Sequence, residues 1–78
     1  YWTVYPNPVS SQLTFDLPSE ADGFTVQVVA MNGAVIETAR VQAGSIMSVI
    51  HWSTGTYILK AQSRSTGNWL PAVRVIRH

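Results

Sequence analysis

Residues able to carry acid–base, nucleophilic or metal chemistry are few in this chain and far apart. Its 78 residues include two histidines, four carboxylates and no cysteine. A catalytic triad would need Asp16, His51 and a serine to converge, but no serine lies in a nucleophile-elbow sequence. Thiolate metal sites are excluded, and two isolated histidines, one of them the terminal His78, do not make a zinc site. We therefore predict that the protein is not an enzyme and binds no metal or cofactor.

The composition excludes disorder and two kinds of partner. Hydrophobic residues make up 46% of the chain, charged residues 12%, and the net charge is +1. A disordered chain has fewer apolar residues and a higher net charge. A nucleic-acid-binding protein carries a clustered basic patch, and no basic run occurs here. No apolar run exceeds four residues, which is too short for a membrane-spanning helix. We expect neither nucleic-acid binding nor membrane insertion.

The length of the chain suffices for one domain and not for two. The first residue is Tyr1 rather than Met. We therefore expect residues 1–78 to form a single domain excised from a longer protein.

Alternating apolar and polar residues predict β-strands, and no window has the spacing of an amphipathic helix. Residues 1–8 form an edge-like arm, because Pro6 and Pro8 fix the backbone and remove amide donors. The strands predicted after this arm cover residues 13–17, 24–28, 35–38, 46–52, 57–62 and 72–76.

Two glycines and one tyrosine are expected to fix the local backbone. Asn32-Gly33 predicts a two-residue type I′ hairpin turn, which requires positive φ at both positions. Gly33 and Gly55 are expected to adopt unusual φ values. Tyr57 is expected to be a core aromatic residue whose hydroxyl reaches a backbone partner.

About seven short strands with regularly spaced turns are typical of an antiparallel sandwich. We predict an all-β fold, a seven-stranded antiparallel β-sandwich that is immunoglobulin-like. The predicted core contains Leu13, Phe15, Leu17, Phe24, Val26, Val28, Ile50, Tyr57, Leu59, Val73 and Val75.

Four blocks of the sequence occur in the order and spacing of a known family. They are Val4-Tyr5-Pro6-Asn7-Pro8 with Leu13-Thr14-Phe15, Val26-Gln27-Val28-Val29 leading to Gly33, Gly55-Thr56-Tyr57-Ile58-Leu59-Lys60, and Val73-Arg74-Val75-Ile76-Arg77. The chain resembles the type A C-terminal sorting domain of the type IX (Por) secretion system of Bacteroidetes bacteria. It departs from the family pattern at Ala30, where an aspartate is usual, and at Ala34, where a basic residue is common. It departs again at residues 52–54, where a leucine-rich turn is common, and at His78, where a lysine is common.

The resemblance implies a secretion signal carried by a protein domain. The parent protein would cross the inner membrane, fold in the periplasm and reach the cell surface or the medium. The implied partners are an outer-membrane translocon, a shuttle protein and a sortase-like protease that removes the domain from many cargos. Whether this domain is removed or retained stays open.

Two segments are the candidates for recognition by these partners. The first is Pro6, Asn7 and Pro8, whose other interpretation is protection of a sheet edge. The second is the last strand, with Arg74, Val75, Ile76, Arg77 and His78, which could add to a partner's sheet. Its other interpretation is simple packing with solvated arginines.

Two other functions and one assembly state remain open. Trp2, Trp52 and Trp69 could stack on sugars in a carbohydrate-binding module, although Trp52 has the core-facing phase of its predicted strand. The domain could also be a purely structural accessory sandwich. Unpaired terminal strands predict a homodimer formed by edge pairing or strand swapping.

Overall fold

The computed structural model describes residues 2–78, which form seven β-strands and no helix. The first residue of the predicted arm, Tyr1, lies outside the described residues. The strands are β1 (Thr3–Tyr5), β2 (Gln12–Asp16), β3 (Phe24–Ala30), β4 (Val35–Val41), β5 (Ile46–Ser48), β6 (Gly55–Ser63) and β7 (Val73–Arg77). In this part of the chain no helix is long and apolar enough to cross a membrane.

The strands form two antiparallel sheets. The first contains three strands in the order β1-β2-β5, and the second contains four in the order β4-β3-β6-β7. The all-β class, the antiparallel pairing and the count of seven strands are confirmed. The predicted arm contributes a strand of its own, because residues 3–5 pair with β2.

Side chains that alternate along the strands supply one shared core. Leu13 and Phe15 of β2 and Phe24, Val26 and Val28 of β3 are fully buried, because every second residue of a strand points to the same face. The buried residues of both sheets form a single hydrophobic cluster. Two positions of β7 also face this core, where Val75 is fully buried and Val73 is partly buried.

The predicted strand over residues 46–52 is wrong beyond Ser48. The amide of Val49 still donates to the carbonyl oxygen of Ser11 (2.8 Å), and the chain then turns, with the amide of Trp52 donating to Val49 O (3.0 Å). The predicted core face is also the wrong one, because Ile46, Ser48 and Ile50 are all exposed, whereas Met47 and Val49 between them are buried. Ile50 is 67% exposed.

The β3–β4 hairpin forms at the predicted place, but its turn is not type I′. Gly33 has a φ of 90°, and no other residue type in the described part of the chain has positive φ, so Asn32 does not meet the requirement of that turn. The amide of Gly33 donates to Ala30 O (2.9 Å), and the amide of Ala34 donates to Asn32 Oδ1 (3.0 Å). The asparagine thus caps a three-residue loop through its side chain instead of adopting a left-handed backbone.

Candidate functional site

The two candidate recognition segments lie side by side in the structure. We call Pro6, Asn7 and Pro8 the Pro-Asn-Pro segment, and residues 74–78 the terminal segment. The peptide bonds that precede Pro6 and Pro8 are both cis. This segment follows the edge strand β1 and runs along the outer edge of β7, the edge that does not face β6.

Asn7 holds the last strand with both atoms of its side-chain amide. Its Nδ2 donates to the carbonyl oxygen of Arg74 (2.9 Å), and its Oδ1 accepts from the amide of Ile76 (3.0 Å). Residues 74 and 76 expose their main-chain groups on the same side of β7, as alternate residues of a strand do. One side chain therefore takes the place that a neighbouring strand would occupy.

Val9 continues this contact with its main chain. Its amide donates to Ile76 O (2.8 Å), and its carbonyl oxygen accepts from the amide of His78 (2.9 Å), so that Val9 forms a parallel bridge with Arg77. The Val9 side chain is fully buried in the core. The buried Val9 side chain thus anchors the chain directly after the Pro-Asn-Pro segment and holds that segment beside β7.

These contacts close the edge that strand addition would need. The carbonyl oxygens of Arg74 and Ile76 and the amides of Ile76 and His78 all have partners within the chain. Addition of a partner's strand at this edge remains a prediction, and it would require displacement of Asn7 and Val9 from β7. What the edge presents instead is side chains: Pro6, Asn7, Pro8, Arg74, Ile76 and His78 are all exposed.

The two arginines of the terminal segment differ in environment. Arg74 is exposed, on the side of β7 that points away from the core. Arg77 is half-buried, and its Nε donates to Val49 O (3.0 Å), with Nη2 at 3.5 Å from Ile50 O. Arg77 therefore ties β7 to the turn that follows β5 of the other sheet.

Gly55 and Tyr57 lie in the strand to which β7 attaches. Gly55 pairs with Arg77, and Tyr57 pairs with Val75. Gly55 has a φ of 154°, and the Tyr57 side chain is buried with its hydroxyl donating to Ser53 O (2.5 Å). Gly55 and Tyr57 therefore pair with β7 along the edge opposite to the Pro-Asn-Pro segment. Gly33 lies in the β3–β4 turn and contacts neither segment.

Sequence reasoning missed Val9, the residue that links the two segments. The available signal was an isolated valine directly after Pro8 in a polar stretch. Because Val9 forms only an isolated bridge and lies outside the named strands, the alternation that located the other core residues does not extend to it.

The tryptophans do not form a common sugar-binding face. The Trp2 indole is buried, is stacked on Phe15 with ring centroids 6.5 Å apart, and donates through Nε1 to Pro71 O (2.6 Å). The Trp52 indole is buried against Tyr57, but it lies in the turn after β5, so its predicted strand phase is not the reason for its burial. Trp69 alone of the three is substantially exposed, at 50%.

The groups considered for catalysis do not converge on Asp16. The ring Nε2 of His51 lies 3.0 Å from Glu37 Oε1, which also accepts from Trp52 Nε1 (3.2 Å). Asp16 belongs to β2, in the other sheet. Within residues 2–78, no group of three or more histidine and carboxylate side chains is placed to hold a metal ion.

Comparisons with known proteins point to one family. Residues 3–70 match the secretion system C-terminal sorting domain, a range that includes the Pro-Asn-Pro segment and residues 55–60 and ends before the terminal segment. No curated protein and no solved structure matches the chain. The matched family carries sorting signals and is not a family of enzymes. Because the match covers far more than half of its length, the chain belongs to the C-terminal sorting domain family of the type IX secretion system.

Proposed function

We propose that this domain is a folded export label whose readable surface combines the Pro-Asn-Pro segment with the terminal segment. Membership of the sorting family implies interaction with the type IX secretion machinery and export to the cell surface or the medium. The finer proposal concerns what that machinery contacts. It contacts one composite surface of the folded domain, made of two segments that lie about as far apart in sequence as the chain allows.

The observation that carries this proposal is the clamp between the two segments. Four hydrogen bonds join residues 7 and 9 to residues 74, 76 and 78. Through them the exposed prolines, Arg74, Ile76 and His78 keep fixed relative positions before any partner arrives. Such preorganisation lowers the entropic cost of binding, because fewer groups are ordered at the moment of contact.

The proposal includes a route and a set of partners. The label closes a longer Bacteroidetes protein, which passes through the periplasm and docks on the outer-membrane translocon and a shuttle protein. A sortase-like protease then acts on the exported cargo. The single hydrophobic cluster shared by both sheets supports an immunoglobulin-like sandwich as the fold of the label.

Removal of residues 74–78 from the parent protein tests the proposal. In cells that have the secretion system, we expect the truncated parent to accumulate in the periplasm with its own activity intact. The control is removal of the whole domain, which blocks export at the same stage. Normal export and display of the truncated parent would contradict the proposal.

Self-association by edge pairing or strand swapping remains a prediction. The Pro-Asn-Pro segment covers the edge of β7, whereas β4 ends the same sheet on its other side. Pairing through β4 is therefore the form of dimer that the edges favour. Light scattering over rising protein concentration tests it, and a monomer at every concentration contradicts it.

A further inference from the structure

One face of the four-stranded sheet is turned away from the core, and we call it the outer face. The register places its side chains in rows across the strands, because residues directly opposite each other in a sheet share a face. One row contains Arg40, Thr25 and Gln62, the next Thr38, Gln27 and Lys60, and the third Val35, Val29, Ile58 and Arg74. Ile76 and Thr56 form the last paired positions.

The outer face carries apolar side chains that nothing within residues 2–78 covers. Val35 is 53% exposed and Ile76 is 43% exposed, on either side of the half-buried Val29 and Ile58. Trp69 bridges to Gln62 and lies on the same face, where it lines a shallow depression with Gln27 and Lys60. A row of β-branched residues and an exposed indole therefore occupy a surface that a solvated sheet would fill with polar groups.

The cationic side chains gather on this face. Lys60 and Arg74 are exposed within its rows, and Arg64 Nη1 lies 3.4 Å from Thr25 Oγ1. Arg40 lies in the first of these rows, on the edge strand β4, and lines a depression with Asp22. Four of the five Lys and Arg residues thus lie on or beside the outer face, and none of the four forms an ion pair within the described residues.

No carboxylate lies within the three rows of the outer face, although Asp22 is beside Arg40 at its edge. Asp16 is on the three-stranded sheet, and Asp22 is in the turn before β3. Glu20 accepts hydrogen bonds from the hydroxyls of Ser63 and Ser65, and Glu37 faces the inner side, towards Trp52. The domain is nearly neutral as a whole, but its charge is distributed so that one sheet face is positive.

We propose that the outer face is a docking surface for an acidic protein surface of the secretion machinery. The proposal rests on the proposed function and extends its composite surface onto an adjoining, positively charged sheet face. Tryptophan and arginine are enriched among the residues that contribute most to binding energy at protein–protein interfaces. Here Trp69 and the Val29–Ile58 row supply apolar contacts. Lys60, which lies between them, and Arg64 and Arg74 supply positive charges that attract a negative partner.

The charge distribution also favours an acidic partner over a second copy of the domain on the outer face. A second copy docked face to face would bring the same cations together, and like charges across an interface are unfavourable. An acidic surface, in contrast, pairs with three exposed cations that have no carboxylate partner within residues 2–78. Arg74 belongs to both the outer face and the composite surface, so the two surfaces are continuous.

Neutralisation of two cations on this face tests the proposal in cells. The double variant Lys60→Gln/Arg74→Gln lowers the net charge by two without touching the core or the clamp. We expect the exported fraction of the parent protein to fall by about fivefold or more, since rim charges control the rate of encounter. Equal melting temperatures for this variant and the wild type would show that the fold is unchanged.

The matched control carries the same charge change on the other sheet. Gln12→Glu/Ile46→Glu also lowers the net charge by two, at exposed positions of β2 and β5 that are not directly paired. We expect its export to stay within about twofold of the wild type. Normal export of the Lys60/Arg74 variant, or an equal loss in both variants, overturns the proposal. If removal of the whole domain leaves export intact, the proposed function itself fails.

A photoreactive side chain introduced in place of Thr38 forms a cross-link that identifies the partner bound to the outer face in living cells. Thr38 is exposed on the outer face, and the same probe at Gln12 is the control. We expect a protease-sensitive product from Thr38 alone, at a yield that falls several-fold in the Lys60→Gln/Arg74→Gln background. A product with twice the mass of the parent protein, or a protease-resistant polysaccharide ladder, would assign the face to a second copy or to a glycolipid and overturn the proposal.

Discussion

At the scale of single residues, Asn7 makes the contact on which the proposed recognition surface depends. A side-chain amide offers a donor and an acceptor in one plane, as a peptide unit does. Asn7 uses both, with Arg74 O as acceptor and the Ile76 amide as donor. An aspartate has nearly the same shape but has no donor when ionised.

We therefore expect Asn7→Asp to destabilise the domain by about 1–2 kcal/mol, because a carboxylate oxygen would face the carbonyl of Arg74. Urea unfolding measures the change. The matched control is Asn68→Asp, since the Asn68 side chain is exposed and makes no hydrogen bond within the described residues. Equal stability of the two variants would mean that the clamp contributes nothing.

Substitutions of the two arginines in the terminal segment should differ in their effect on the stability of the domain. Arg77→Met removes the bonds to Val49 O and Ile50 O while it retains the apolar stem, and we expect a loss of about 1 kcal/mol. Arg74→Met leaves stability unchanged, because the Arg74 side chain makes no hydrogen bond within the described residues. Thermal unfolding of both variants measures this difference, and an equal effect of the two substitutions contradicts it.

At the scale of elements, the important contact is between the short strand β7 and residues 7 and 9, which do not belong to a strand. β7 has five residues and is held by β6 on one side and by residues 7 and 9 on the other. The amides of Ile76 and His78 depend on the second side for their acceptors. Opening of the Pro-Asn-Pro segment should therefore expose these two amides without unfolding the sheets.

Hydrogen exchange of the variant Val9→Ala examines this dependence. Val9 is fully buried, so loss of two methyl groups should cost about 2 kcal/mol and loosen the segment. We expect exchange at Ile76 and His78 to accelerate more than exchange in the central strand β3. A uniform acceleration of all amides would show that the segment and the sheets open only together.

The elements differ in how far sequence could predict them. The alternation in residues 13–17 and 24–28 places six core residues correctly, because one face of each strand is buried. It fails at Ile50, because Ile46, Ser48 and Ile50 share the exposed face of their segment, and at Asn32, whose side chain bonds within the turn. The site residues can be suspected from composition, but the Asn7–Arg74 contact joins residues 67 apart, and no local pattern encodes such a pairing.

At the scale of the whole molecule, the fold connects the two ends of the chain. Residues of both sheets share one core, and Val9 is part of that core. The position of the exposed prolines relative to Arg74 and Ile76 therefore depends on the packing of the entire domain. A signal built in this way is a property of the folded state, and an isolated terminal peptide lacks it.

Export of a reporter protein tests this claim most directly. In cells with the type IX secretion system, one fusion carries residues 1–78 at the C-terminus of the reporter, a second carries residues 73–78 alone, and a third carries neither. We expect a high fraction of the first fusion at the surface and in the medium, and we expect export of the second fusion to stay at the level of the third. Equal export of the first and second fusions would contradict it, because the signal would then be a linear sequence that needs neither Asn7 nor the fold.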